Sequence, residues 1–224
     1  MSLTNRARAL TDIVSHLVNT IIRDVIIVTV NDRNEIVEHG SIVVEGHRIE
    51  DIGPTAEMDR KYAAEKEIDA SGMVAMPGII NGHIHLCVPP PRATYDDKDI
   101  MQYFLEIYSM ANKYTEDVVY KLSLLAGLEA LKSGTTFLNS HGHWTQALEE
   151  AEIRALKELG LKAMVCTGMQ DIMHPWNISA EEQLRQATAL AEKYGSDDRI
   201  RIALGPESID EGEMATTRNF VEGI

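Results

Sequence analysis

The hydrophobic pattern changes rhythm near residue 73. Before that point, short β-branched runs alternate with polar turns. Leu10, Ile13, Val14, Leu17 and Val18 share one face over residues 4–19, which reads as a short helix or a mobile lead-in. Residues 21–30 are β-branched and apolar, and Asn31-Asp32-Arg33-Asn34 is turn chemistry. Residues 41–45 and 48–52 read as strands joined through Gly46-His47, and Gly53-Pro54 stops the second. This spacing predicts a small antiparallel sheet. The charged residues 55–66 are expected to cover one of its edges.

After residue 73 the segments lengthen. Residues 74–84 form a mostly apolar strand entered through Pro77-Gly78. Pro89-Pro90-Pro91 fits neither a central strand nor a helix interior. Helical periodicity covers 99–111 and 116–133, with Thr115 placed as N-cap and Gly134 as stop. A strand over 135–140, a helix over 145–159 ended by Gly160, and a strand over 162–167 follow. Ser179 and Glu182 form a capping-box pattern for a helix closed by Gly195, and 199–204 is a fourth strand. The order β-α-β-α-β-α-β predicts a parallel sheet covered by helices, an α/β fold. It suits either a small open sheet or the front half of an eight-stranded βα barrel, which takes about 250 residues when whole.

Composition narrows the function classes. The 224 residues carry 21 Lys and Arg against 35 Asp and Glu, a net charge of −14. That balance argues against nucleic acid or an anionic membrane surface as partner. The most apolar run, residues 17–30, is broken by Asn19, Arg23 and Asp24, whereas a span needs about 20 apolar residues. The N-terminus lacks a signal-peptide pattern, and Cys87 and Cys166 alone make no disulfide framework, so a reduced cytoplasmic setting is expected.

The strongest chemical signal is Pro77-Gly78-Ile79-Ile80-Asn81-Gly82-His83-Ile84-His85-Leu86. Strand side chains alternate faces, so His83 and His85 point the same way. Two imidazoles at the C-terminal end of a parallel strand can share one metal ion, and that end is where such folds build sites. The plainer alternative is a pair of ordinary histidines near a strand end.

The surroundings of this stretch resemble the amidohydrolase superfamily. Strands over 21–52 followed by Ile68-Asp69-Ala70-Ser71-Gly72 resemble that family's sandwich segment and its entry to the barrel. Residues 77–86 are similar to its first-strand metal motif. Gly127-Leu128-Glu129-Ala130-Leu131-Lys132-Ser133-Gly134-Thr135-Thr136-Phe137 resembles the helix and second strand that follow. Tyr95-Asp96-Asp97-Lys98-Asp99-Ile100-Met101 looks like the cytosine deaminase and chlorohydrolase branch, which includes triazine hydrolases, guanine deaminases and S-adenosylhomocysteine deaminases. The resemblance implies a TIM-type (β/α)8 barrel with a small N-terminal β-sandwich segment. Residues 1–20 would be lead-in, 21–72 the sandwich segment, and 73–224 about the first half of the barrel.

It further implies a metal-dependent hydrolase acting on a C–N or C–Cl bond of a heterocyclic small molecule. His83 and His85 would be the first two ligands of a divalent transition metal, zinc first, with iron or manganese as substitutes. The other ligands and the proton-moving carboxylate are expected beyond Ile224. The barrel half would be completed by further chain or by a second copy, and a homo-oligomer is expected.

Several residues are candidates for substrate contact. His141, His143 and Trp144 follow the second barrel strand, where the histidines can touch substrate and the Trp can form an apolar wall. Arg92 in the Pro-rich loop can meet an anionic group, and His174 follows the third strand. Each also has an ordinary reading as a loop or surface residue. Glu207 stands in Gly205-Pro206-Glu207-Ser208, where the family commonly has a Gly-Pro-His-type motif. It is either a substrate contact or a carboxylate bridge to the metal. A non-catalytic binding scaffold on the same fold is the competing class, and a self-contained α/β domain without metal is a third.

Overall fold

The computed structural model describes residues 16–86, 97–142, 145–169 and 178–206. The chain divides into two compact units between Pro77 and Gly78.

Among its described residues, the first unit holds a five-stranded mixed sheet. β1 (His16–Val28), β2 (Ile36–Glu45) and β3 (Arg48–Pro54) run antiparallel, and a short helix, α1 (Thr55–Lys61), leads to β4 (Tyr62–Asp69). β4 and β5 (Val74–Ala75) both pair with β1 in parallel. The strand order is β3-β2-β1-β4, with β5 also on β1.

Three expectations change here. His16–Asn19 belong to β1 rather than to a helical face, because their backbone pairs with β4. The sheet is mixed rather than antiparallel. Residues 62–66 form the edge strand itself rather than a cover for one. Lys and Glu along β4 suit an exposed edge, since charge discourages further strand pairing. Val18, Ile21 and Val43 pack with Met58 of α1, which makes that short helix the lid of one core. Val25, Ile27 and Ala70 form a second. Between them β1 bulges at Arg23-Asp24, where Asp24 takes φ 54°, and the buried face changes phase.

Among its described residues, the second unit holds a four-stranded, wholly parallel sheet. Its elements are β6 (Ile79–Ile84), α2 (Ile100–Ala111), α3 (Glu116–Lys132), β7 (Thr135–His141), α4 (Gln146–Leu159), β8 (Lys162–Met169), α5 (Ala180–Tyr194) and β9 (Ile200–Pro206). Strand order in the sheet follows chain order, β6-β7-β8-β9. The apolar run expected as one strand over 74–84 is divided. Val74 and Ala75 pair with β1, whereas β6 begins at Ile79 beside β7.

Local signals set the helix ends. The Thr115 hydroxyl accepts the Val118 N–H, and the Ser179 hydroxyl accepts that of Glu182. The Glu182 carboxylate meanwhile engages Arg185 and Gln186. Gly160 closes α4 at φ 71°, a conformation that costs other residues about 1–2 kcal/mol. Leu138, Ala163, Val165 and Ile200 of the strands pack on Ile153 and Leu156 of α4 and Leu190 of α5. The alternate residues Asn139, His141, Cys166 and Gly205 therefore line the opposite face, away from the helices.

Asp197 joins α4 to the start of β9. Its carboxylate pairs with Lys157 and accepts the N–H groups of Arg199 and Ile200 at 2.9 and 3.1 Å. These partners, Lys157 first, hold its pKa at about 2, below the ordinary carboxylate value. A depressed carboxylate stabilises the fold above its unfolded-state pKa, and the effect is lost as pH falls through the folded one. Asp197→Asn should therefore lower the melting temperature at pH 6. The gap from wild type should close between about pH 4 and pH 2. A constant gap over that range would remove the ionic contribution.

Candidate metal centre

β6 pairs irregularly at its C-terminal end. Asn81 and Ile84 oppose Leu138 and Ser140, so one extra residue is accommodated at Gly82-His83. The Asn81 side-chain oxygen accepts the His83 N–H at 3.2 Å and secures that turn. His83 thus lies at the strand's end and His85 one residue past it, while Ile84 packs toward the core under α4 and Leu86 is fully buried there. The alternation expected from sequence does bring the two imidazoles together.

The Nε2 atoms of His83 and His85 are 3.1 Å apart, with the rings edge to face. His85 Nδ1 lies 2.8 Å from the backbone carbonyl of His141. A carbonyl only accepts, so His85 Nδ1 carries a proton. In neutral His85 the Nε2 lone pair then faces His83. Two nitrogens this close need a proton or a cation between them. A separation of 3.1 Å would let both nitrogens bind one ion at the usual N–metal distance of about 2.0–2.1 Å. The donor set and its spacing fit a shared transition-metal ion. The proton tied to a carbonyl behind the ligand is the usual outer-shell arrangement of such a site. Among the described residues, no group of three or more His, Cys, Asp or Glu side chains is arranged to hold a metal.

His141 completes the described cluster. Its ring stacks on His83 at 5.7 Å between centroids and 29° between planes, and its Nε2–H donates to the Gly205 carbonyl at 3.1 Å. Cys166, on β8 between them, donates its thiol to the Asn139 side-chain oxygen at 3.0 Å. Burial pushes the Cys166 thiol up, and the carboxylates of Glu149 and Glu152 add to this, so it is a protonated wall residue rather than a thiolate. Arg92, His143, Trp144, His174 and Glu207 lie outside the described residues, as does Cys87.

Sequence reasoning did not find two features. One is the His141 backbone carbonyl as the acceptor behind His85. The other is Gly205, where a Cβ would lie 2.7 Å from the His141 ring. The only advance signal was positional: Asn139 and His141 share one strand face.

Comparison with known proteins shows the family and the fold. The chain is 34% identical over 194 residues to a 5-methylthioadenosine/S-adenosylhomocysteine deaminase of Thermodesulfovibrio yellowstonii, covering 84% of this chain and 43% of that protein. It spans about half the length, or less, of the curated relatives it matches. Among solved structures it resembles a Xanthomonas campestris adenosine deaminase with bound zinc, at a TM-score of 0.78 and 22% identity over 85% of this chain and 43% of that one. It also resembles an atrazine chlorohydrolase mutant of Arthrobacter aurescens complexed with zinc and atraton, at a TM-score of 0.72 and 19% identity over 85% of this chain and 47% of that one. A family model described as the amidohydrolase family matches residues 74–222, and the chain belongs to that family.

Proposed function

We infer that this chain contributes the first metal ligands of a hydrolase that deaminates a heterocycle, and that its substrate is a 5′-substituted adenosine. The observation that carries the reading is the 3.1 Å approach of His83 and His85, with His85 Nδ1 bound to a carbonyl. A divalent transition metal, zinc first and iron or manganese as substitutes, is what these nitrogens would hold. When bound, it would supply a water acidic enough to act as nucleophile at neutral pH. The chain's own part is to present two Nε2 lone pairs together and to keep the Nδ1–H of His85 turned away from the ion. In the reaction a C–O bond forms at the ring carbon, the C–N bond breaks, and ammonia leaves. The remaining ligands and the proton-moving carboxylate would come from outside the described residues.

The adenosine class is supported by the named activity of the relative at 34% identity. The sheet order β6-β7-β8-β9 supports an arc of a (β/α)8 barrel, since a doubly wound sheet would reverse direction at a switch point. The first unit would then be part of a β-sandwich. Among the described residues no helix is long and apolar enough to cross a membrane. A cytoplasmic, homo-oligomeric enzyme with a small-molecule substrate, and with no nucleic-acid or membrane partner, completes the proposal. Arg92, His143, Trp144, His174 and Glu207 remain candidate substrate contacts in it.

The test is elemental analysis of protein expressed from the whole gene, followed by ammonia release from 5′-methylthioadenosine, S-adenosylhomocysteine, guanine and a chlorotriazine. About one metal per chain and turnover of the adenosines are expected. Absence of metal after reconstitution would overturn the metal site. A loaded protein that turns over only guanine or the triazine would overturn the substrate class.

A further inference from the structure

We propose that His141 is a positioning residue that holds both His83 and His85 in place, and not a substrate contact. The inference rests on the reading of those two histidines as metal ligands. His141 reaches His85 with both its backbone and its ring, the rings edge to face at 5.3 Å between centroids, and reaches His83 with its ring. Its backbone carbonyl accepts the His85 Nδ1–H at 2.8 Å, which sets the ring's tautomer and its rotation. Its ring is stacked, offset, on that of His83, with centroids 5.7 Å apart and planes 29° from parallel.

The ring is in turn anchored at the far side. Nε2–H donates to the carbonyl of Gly205 on β9, so the imidazole crosses the intervening strand β8. The Gly142 N–H meanwhile donates to the Cys166 carbonyl of β8 at 3.0 Å. That crossing requires glycine at 205. A Cβ there would meet His141 Cδ2 and Nε2 at 2.7 Å and the Cβ of Cys166 at 3.0 Å. The result is a strut from β9 through the His141 ring to the two imidazoles at the end of β6. A side chain whose ring neighbours both His83 and His85 and whose edge is bound to Gly205 is placed to orient ligands. Its N–H is engaged by Gly205, so that donor is not offered to a substrate.

Three variants in protein expressed from the whole gene separate these roles. His141→Phe keeps the ring and loses the donor. His141→Gln keeps an N–H within reach of Gly205. Gly205→Ala leaves the imidazole but displaces it. Zinc affinity is read by chelator competition, and ligand geometry by the visible spectrum of the cobalt-substituted protein. His141→Phe and Gly205→Ala should each weaken zinc by about 10–100-fold and alter the cobalt bands. His141→Gln should restore most of both, and KM for the adenosine should stay unchanged at saturating metal. If His141→Phe does not fold, Gly205→Ala against His141→Gln decides the same point.

Wild-type zinc affinity and cobalt bands in the Phe and Ala variants would overturn the proposal, above all if KM rises. Wild-type protein that takes up no metal would instead overturn the metal reading itself, and this inference with it.

Discussion

Changing His83 or His85 to Ala is expected to abolish stoichiometric metal binding and to lower turnover by at least about three orders of magnitude. Free water has a pKa of about 15.7, against about 7 for water on a protein-bound zinc, so loss of the ion removes nearly all nucleophile at neutral pH. The two variants should not be equivalent in every respect. His85 also donates to the His141 carbonyl, so His85→Ala leaves that acceptor without its partner, whereas His83→Ala removes an exposed ring. Melting temperatures without metal should therefore fall further for His85→Ala. Elemental analysis, chelator competition and ammonia release check the main outcome. Retention of one equivalent of metal by both single variants would exclude this pair as ligands.

The second large effect is on stability. Leu156→Ala should destabilise the protein by about 2–5 kcal/mol, read from urea unfolding. Leu156 is fully buried on the inner face of α4, with Ile153, Leu138, Val165, Leu190 and Ile200 in the same cluster. That cluster joins strands β7, β8 and β9 to helices α4 and α5, so a cavity there loosens every layer of the second unit. The contrast is Leu184→Ala on α5, where the side chain is 45% exposed. An isolated exposed leucine should cost under about 1 kcal/mol. If Leu184→Ala proves as damaging as Leu156→Ala, the face bearing Leu184 is covered in the working protein.

Much of this molecule was legible in its residues, and the legible parts share a physical basis. The helices α3, α4 and α5 follow from a 3.6-residue apolar period bounded by Thr115, Ser179 and Gly160, all of which act within a few residues along the chain. The strands β7, β8 and β9 follow from short apolar runs between those helices, and their parallel order from the intervening helical connections. That His83 and His85 share a face follows from strand alternation, while the extra residue at Gly82-His83 and the His141 carbonyl set their approach.

What sequence did not reveal depends on pairing between distant segments. Nothing local says that the Lys- and Glu-rich β4 pairs in parallel with β1, because one strand fits an edge as well as another. The apolar run 74–84 carries no mark of where one sheet gives way to the next. The role of His141 lies partly in a backbone carbonyl, and every residue has one. The need for glycine at 205 arises from an imidazole 64 residues earlier in the chain. The sequence by itself determined helices α3 to α5, strands β7 to β9 and the two imidazoles on one face, because those depend on local period and alternation. Only the tertiary structure decided which strands pair and how the His141 ring crosses β8 to Gly205, because those depend on long-range packing and close backbone approach.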